Sequence, residues 1–255
     1  MKIGIILTGI IEDYYLNDLI DCYKDCLYEK IISTWDYTDV TIINKLKENG
    51  FHIIQSSFPD EIHKCSVNYQ NYSFKMGMQK VKELDIGITH ILRMRSDIVC
   101  SDINKLLQIC EKVYDENKLI FSFYFIQNIA IISNFKYIPM NGYNLEHFYF
   151  GNIQLISKYS CCIRDKYDYR FPERFRQEIC FSTINYKKLR KKSIYIGKEL
   201  LKNNIELTFK CTRHLNETVI KPLYYTNITI NNSQYFIDNK LNIETYEADL
   251  DLNII

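Results

Sequence analysis

Short apolar runs alternate with segments of helical period through the first 113 residues, and that alternation leaves the chain few architectures to choose from. Residues 2–7 read as a strand, 16–28 as a helix and 31–35 as a second strand. Asp39 is placed to cap a helix running to Asn49, where Gly50 supplies the stop, and residues 51–55 form the next strand. Residues 68–84 carry helical spacing through Tyr72, Met76, Gln79 and Val81, and a strand follows at 90–95. Asp102 then caps a helix that puts Ile103, Leu106, Leu107, Cys110 and Val113 on one face. A βαβαβαβα order of this kind calls for α/β architecture: a mainly parallel sheet with right-handed crossovers, flanked by helices.

The second half has a different character. Residues 119–125 and 129–137 read as two strands, and a loop with Pro139 and Gly142 leads into Glu146, His147, Phe148, Tyr149, Phe150, Gly151 and Asn152. A helix starts near Ile153, and Pro172 takes a first-turn position before a helix over 173–189. Beyond Asn216 the chain turns to Thr, Asn and Tyr with β-like alternation, which reads as a β-rich appendage of 216–255 packed on a domain of 1–215.

With 47% hydrophobic and 25% charged residues, 255 residues suffice for a sizeable core. The formal charge of +1 gives no global electrostatic case for nucleic acid. Nine cysteines, an odd number without any Cys-x-x-Cys pair, point to free thiols and a cytoplasmic setting. The apolar start at 3–10 is too short for a secretion signal, and the stretch 119–133 is too short for a membrane span. Four Asn-x-Ser/Thr sequons (Asn71, Asn216, Asn227 and Asn231) matter only in a secreted chain. The basic run at 187–192 is either a weak contact for a membrane surface or a solvated helix end whose cations suit the dipole.

The run His90-Ile91-Leu92-Arg93-Met94-Arg95-Ser96-Asp97-Ile98-Val99 holds the most telling chemistry. Strand alternation puts Arg93, Arg95 and Asp97 on one face and Leu92, Met94 and Ser96 on the other. Such charges are costly in an apolar strand unless they meet opposite charge. At a strand's carboxyl end, where ligands of α/β sheets bind, Asp97 can hold a divalent cation and the arginines can hold phosphate oxygens. The alternative is a structural Arg–Asp pair under the sheet.

Asn68-Tyr69-Gln70-Asn71-Tyr72-Ser73 with Gly77-Met78, followed by Thr89-His90-Ile91-Leu92-Arg93-Met94-Arg95-Ser96-Asp97, resembles the WavE-like lipopolysaccharide-synthesis family, glycosyltransferases of the GT-A type. Ile32-Ser33-Thr34-Trp35 is similar to that family's second-strand ending. The segments 146–152 and Phe171-Pro172-Glu173-Arg174-Phe175 resemble its acceptor side, so the resemblance covers about residues 1–190. It implies a Rossmann-like fold, a donor half of about 1–118, an acceptor half of about 119–215, and sugar transfer from a nucleotide-sugar to a glycan acceptor in polysaccharide biosynthesis. It also implies a donor-binding set that includes Gln70, Arg93, Arg95, Ser96 and Asp97.

Many GT-A enzymes carry Asp-x-Asp; here Arg95 stands in place of the first Asp. A single carboxylate remains for Mn²⁺ or Mg²⁺, and the arginines can offset diphosphate charge themselves, which leaves metal dependence open. His147 and His214 are either second metal ligands from the C-terminal side or ordinary surface histidines. The donor's base and ribose are expected near Thr8, Gly9 and Trp35, although Gly9 also suits a plain tight turn and Trp35 a core position. Glu173 is the first choice of general base and Glu146 the second, with Glu173 about a sugar ring plus contacts, roughly 10 Å, from Asp97. An inactive nucleotide-sugar-binding or glycan-binding module is the rival reading. A nucleotidyltransferase ranks below it, because no Gly-rich phosphate loop follows Leu7.

Overall fold

The computed structural model describes residues 1–59, 66–121, 124–127, 140–144, 148–160, 193–210 and 218–220. The first half follows the alternation of the sequence: β1 (Ile3–Thr8), α1 (Asp13–Tyr23), β2 (Glu29–Trp35), α2 (Val40–Glu48), β3 (Phe51–Ser56), α3 (Ser66–Leu84) and β4 (His90–Arg95). After β4 come β5 (Ile98–Cys100), α4 (Ile103–Lys112), β6 (Leu119–Phe121), β7 (Tyr124–Gln127), β8 (Met140–Asn144), β9 (Phe148–Asn152) and α5 (Ile153–Ser160). The remaining described elements are β10 (Ser193–Tyr195), α6 (Gly197–Lys202), β11 (Leu207–Phe209) and β12 (Thr218–Ile220).

The expected caps form. Asp39 accepts from the Thr41 amide and Asp102 from the Lys105 amide, each satisfying an orphan donor of a helix start. Gly50 ends α2 at φ +78°, a conformation that costs glycine nothing.

Seven strands form the main sheet in the order β10-β6-β9-β4-β1-β2-β3, with β4 at its middle. β3, β2, β1 and β4 are mutually parallel, β10 is parallel to β6, and β9 alone runs antiparallel, between β4 and β6. The fold is therefore α/β with a mainly parallel sheet, as the sequence predicts. The structure differs from the sequence reading at several places. The helix read as 16–28 spans Asp13–Tyr23, and residues 119–125, read as one strand, divide into β6 and β7, which belong to different sheets. Residues 140–144, read as loop around Gly142, pair as β8 with β7, and 148–152, given no element from sequence, form a strand. β9 carries a continuous buried run, Phe148, Tyr149 and Phe150, the mark of a strand covered on both faces.

Helices cover the sheet on both faces. Ile5, Leu7, Leu92, Met94, Phe148 and Phe150 join residues of α1, α2, α4 and α6 in the larger core. Ile6, Ile31, Ile91 and Tyr149, one residue out of phase, pack with Phe74, Met78 and Val81 of α3 and Ile156 of α5. α3 lies very close to β1, since a Cβ on Gly77 would stand 2.6 Å from Cγ2 of Ile6. β5 leaves the main sheet to pair with β11, which pairs with β12 at the start of the expected tail. Residues 129–137, 173–189 and 221–255, for which strands, a helix and a β-rich tail are expected, lie outside the described residues.

Candidate functional site

Strand order reverses between β1 and β4: the chain winds outward from β1 through β2 to β3, then returns to place β4 on the other side of β1. Ligands of open α/β sheets bind in the crevice outside the carboxyl ends of the strands at such a point. Thr8 closes β1 and Gly9 follows it; Arg95 closes β4, and Ser96 and Asp97 follow in a turn. Thr8 is registered with Arg95 on one side and Ser33 on the other, so these three side chains share a face.

The loop after β1 is held from two sides. Ser96 donates its amide to the Thr8 carbonyl at 3.0 Å and its hydroxyl to the Ile10 carbonyl at 2.8 Å. Tyr15, from α1, donates to the same Ile10 carbonyl at 2.6 Å. Burial raises the Tyr15 phenol well above its ordinary range, with the Asp97 carboxylate adding to the shift, so it stays a donor at neutral pH. Gly9 holds φ +130°, and a Cβ there would meet Ser96 Oγ at 3.0 Å, so the close approach its small size allows is made by Ser96.

Arg95 and Asp97 form a bidentate pair: Nε donates to Oδ1 at 2.8 Å and Nη2 to Oδ2 at 2.6 Å. Their side chains are 28% and 14% exposed, so solvent and solutes reach the pair. Arg93, two residues earlier on the same face, is 1% exposed. Its Nη2 donates to Oε1 of Gln70 on α3 at 3.3 Å, and its guanidinium lies 5.2 Å from the Tyr149 ring centroid. Gln70 and Arg93 thus meet each other below the surface while Arg95 and Asp97 stand at the lip.

Two hydroxyls at this edge of the sheet are unusual. Thr8 Oγ1, at the end of β1, and Ser56 Oγ, at the end of β3, are buried and meet no hydrogen-bond partner among the described residues. An orphaned buried hydroxyl costs free energy and calls for an explanation. Thr8 stands at the carboxyl end of β1, the edge at which ligands of such sheets bind.

Trp35, at the end of β2, is 4% exposed and lies in an aromatic ladder. It stacks on Phe58 at 4.2 Å, Phe58 stacks on Tyr37 at 5.6 Å, and Tyr72 lies parallel to Trp35 at 6.3 Å, with Tyr69 edge-on. The tryptophan's face is occupied by its own neighbours, in keeping with a core role for that ring.

A divalent cation fits the described residues poorly. No group of three or more His, Cys, Asp or Glu side chains able to hold a metal occurs among them, and both oxygens of Asp97 are engaged by Arg95. Glu173, Glu146, His147, His214 and the basic run at 187–192 lie outside the described residues. Sequence reasoning missed Tyr15 and Tyr149 as supports of the site. Both sit where helix or strand pattern asks for an apolar core residue, so nothing in the pattern marks them as polar partners. It also missed Lys210, whose amide donates to the Asp97 carbonyl at 2.8 Å across more than a hundred residues of sequence.

No family model matches the sequence, and a search for related curated proteins finds no match. Among solved structures, similarity extends to the galactosyltransferase LgtC in complex with donor and acceptor sugar analogues, at 14% identity and a TM-score of 0.36, over 61% of this chain and 59% of that one. It extends to a glycosyltransferase involved in glycosylation of the major capsid of PBCV-1, at 14% identity and a TM-score of 0.41, over 76% of this chain and 81% of that one. A putative glucose-1-phosphate thymidylyltransferase from Bacillus anthracis also matches, at 13% identity and a TM-score of 0.43, over 76% and 85%. The chain thus spans about three-fifths (59%) of the galactosyltransferase's length. Likeness at this level carries no argument for a shared activity, which must come from the chain's own residues.

Proposed function

We propose that the protein is a glycosyltransferase that moves a hexose-type sugar from a nucleotide diphosphate donor to a glycan acceptor in polysaccharide biosynthesis. The observation that carries this reading is the constellation at the switch point: a buried Thr8 hydroxyl without a hydrogen-bond partner among the described residues, registered beside Arg95, with the Arg95–Asp97 pair at the partly exposed lip. A donor laid across the carboxyl ends of β1 and β4 puts its nucleoside toward Thr8 and the β1–α1 loop and its diphosphate toward Arg95. Arg93, bonded to Gln70 and stacked on Tyr149, supports that edge from beneath.

The chemistry asked of the site is modest. The departing diphosphate gathers negative charge, and a fixed guanidinium aimed at it lowers the barrier without solvent reorganisation. The acceptor hydroxyl loses its proton to a carboxylate at hydrogen-bond distance in an inverting reaction. Glu173 is assigned that role, with Glu146 next, both within the acceptor half we take to span about 119–215. Among the described residues no helix is long and apolar enough to cross a membrane, and we read the enzyme as working in the cytoplasm.

Thermal-shift screening against UDP-, GDP-, CMP- and dTDP-sugars, with and without Mn²⁺, tests the reading. One nucleotide class should raise the melting temperature in a concentration-dependent way, and the matching sugar should then be released or transferred over time. Stabilisation without any turnover across a panel of glycan acceptors would favour the binding-module alternative. No stabilisation by any nucleotide-sugar would overturn both.

A further inference from the structure

We infer that the Arg95 guanidinium, docked on Asp97, is the resident cation of this site and takes the place of a divalent metal. The inference rests on the donor reading above and concerns how the diphosphate is held. Three observations carry it. First, the string Arg95-Ser96-Asp97 supplies a single carboxylate, with a positive charge two residues before it where a second metal ligand could stand. Second, that guanidinium engages both oxygens of the remaining carboxylate, at 2.8 and 2.6 Å, so it occupies the side from which a metal would bind Asp97 through both oxygens. Third, no set of three His, Cys, Asp or Glu side chains among the described residues offers a metal an alternative seat.

The geometry also says why the carboxylate is retained. An arginine side chain has several rotatable bonds, and a lone guanidinium at a strand end would sample many positions. Asp97 fixes two of its donor atoms in the planar fork that carboxylates recognise. The turn that carries Asp97 is itself pinned, by the Lys210 amide on its carbonyl and by Ser96 on the Ile10 carbonyl. Asp97 is therefore a positioning residue, acting on the diphosphate through Arg95.

A cation built into the chain makes distinct predictions from one drawn from solution. Inorganic pyrophosphate is the probe, because it carries the diphosphate chemistry without committing to a base. Calorimetry should show pyrophosphate binding to the full-length protein in excess EDTA, with an affinity unchanged by Mn²⁺. Electron paramagnetic resonance of Mn²⁺ should show no tightly held ion, alone or with pyrophosphate. Arg95→Gln should weaken pyrophosphate binding by roughly tenfold or more, the loss expected for charge-assisted bonds. Asp97→Asn should keep binding that is indifferent to EDTA, since its amide oxygen still accepts from Arg95, whereas a metal-ligand role predicts collapse.

Pyrophosphate binding that requires Mn²⁺ and vanishes in Asp97→Asn would overturn the inference and leave the donor reading standing. Absence of pyrophosphate and nucleoside diphosphate binding under both conditions would overturn the donor reading and the inference with it. The wild-type arms need no variant, so a misfolded Arg95→Gln protein does not blunt the test.

Discussion

Ser33 of β2 and Ser73 of α3 bond each other in both directions: the Ser33 hydroxyl donates to the Ser73 carbonyl at 2.6 Å, and the Ser73 hydroxyl donates to the Ser33 carbonyl at 3.0 Å. Both residues are buried, and the Ser33 carbonyl also accepts the Gly9 amide at 3.2 Å. One carbonyl thus ties the helix that carries Gln70 to the loop that follows Thr8. The relation places α3 on the sheet at a fixed height, and with it the partner of Arg93.

Ser73→Ala removes one of the two reciprocal bonds and leaves its acceptor buried with the Gly9 amide alone. A loss of about 1–2 kcal/mol in unfolding free energy is expected, from the desolvated acceptor rather than from lost packing. Urea denaturation should show a lower midpoint at unchanged slope. A midpoint equal to wild type would mean that the latch contributes nothing.

Gly77→Ala sets two effects against each other. Alanine in mid-helix is favoured over glycine by roughly 1 kcal/mol, but the new methyl would stand 2.6 Å from Ile6 Cγ2 in the packed core. Overpacking of this kind typically costs about 1–3 kcal/mol, because the strand cannot retreat without disturbing its pairing. Net destabilisation is expected, read as a fall in melting temperature by calorimetry. A rise would show that α3 shifts freely on the sheet.

The strands and helices of the first half were legible because their patterns agree with their environments: each is amphipathic or fully apolar, bounded by Asp39, Gly50 or Asp102. Depth was not legible. Alternation puts Arg93 and Arg95 on one face, but it does not say that one is 1% exposed and the other 28%. The strand ends at Arg95, as the expected span 90–95 has it, but alternation does not show that Asp97, placed on the same face as Arg93 and Arg95, lies in a turn beyond that end and bonds back to Arg95. The position of β9 was not legible for a different reason. Its place between β4 and β6 is fixed by pairing with elements about thirty to sixty residues away, and order along the chain predicts only the parallel crossovers.

Alkaline pH should weaken the fold through Cys22. Its sulfur donates to the Cys100 carbonyl at 3.2 Å and accepts the Cys100 amide at 3.3 Å, and burial pushes its thiol from 9.0 up to about 12. The unfolded chain releases this proton first, so stability present in full below pH 9 declines as pH climbs from about 9 toward 12. Burial also raises Tyr23, Cys100 and Cys110, which adds the same sign. Urea midpoints across that range should fall in wild type and fall less steeply in Cys22→Ala. An equal slope in the two proteins would remove Cys22 as a cause.

Thr8→Val separates what the Thr8 hydroxyl does for the fold from what it does for a ligand. Valine keeps the β-branched shape that suits the last position of β1, so packing against the registered side chains of Ser33 and Arg95 is preserved. Because Thr8 Oγ1 is buried without a hydrogen-bond partner among the described residues, its removal breaks no bond there and relieves a desolvated polar group. Stability should therefore hold or rise, by roughly 1 kcal/mol. Ligand binding should move the other way. If the hydroxyl is kept to bond the donor's nucleoside, the nucleotide that stabilises wild type in the thermal-shift screen should bind the variant several-fold more weakly, while pyrophosphate, which reaches only Arg95, should bind both alike. A loss of stability in Thr8→Val would show that the hydroxyl already has a partner in the folded chain. Equal nucleotide affinity would remove Thr8 from the donor site and shift the nucleoside away from the end of β1.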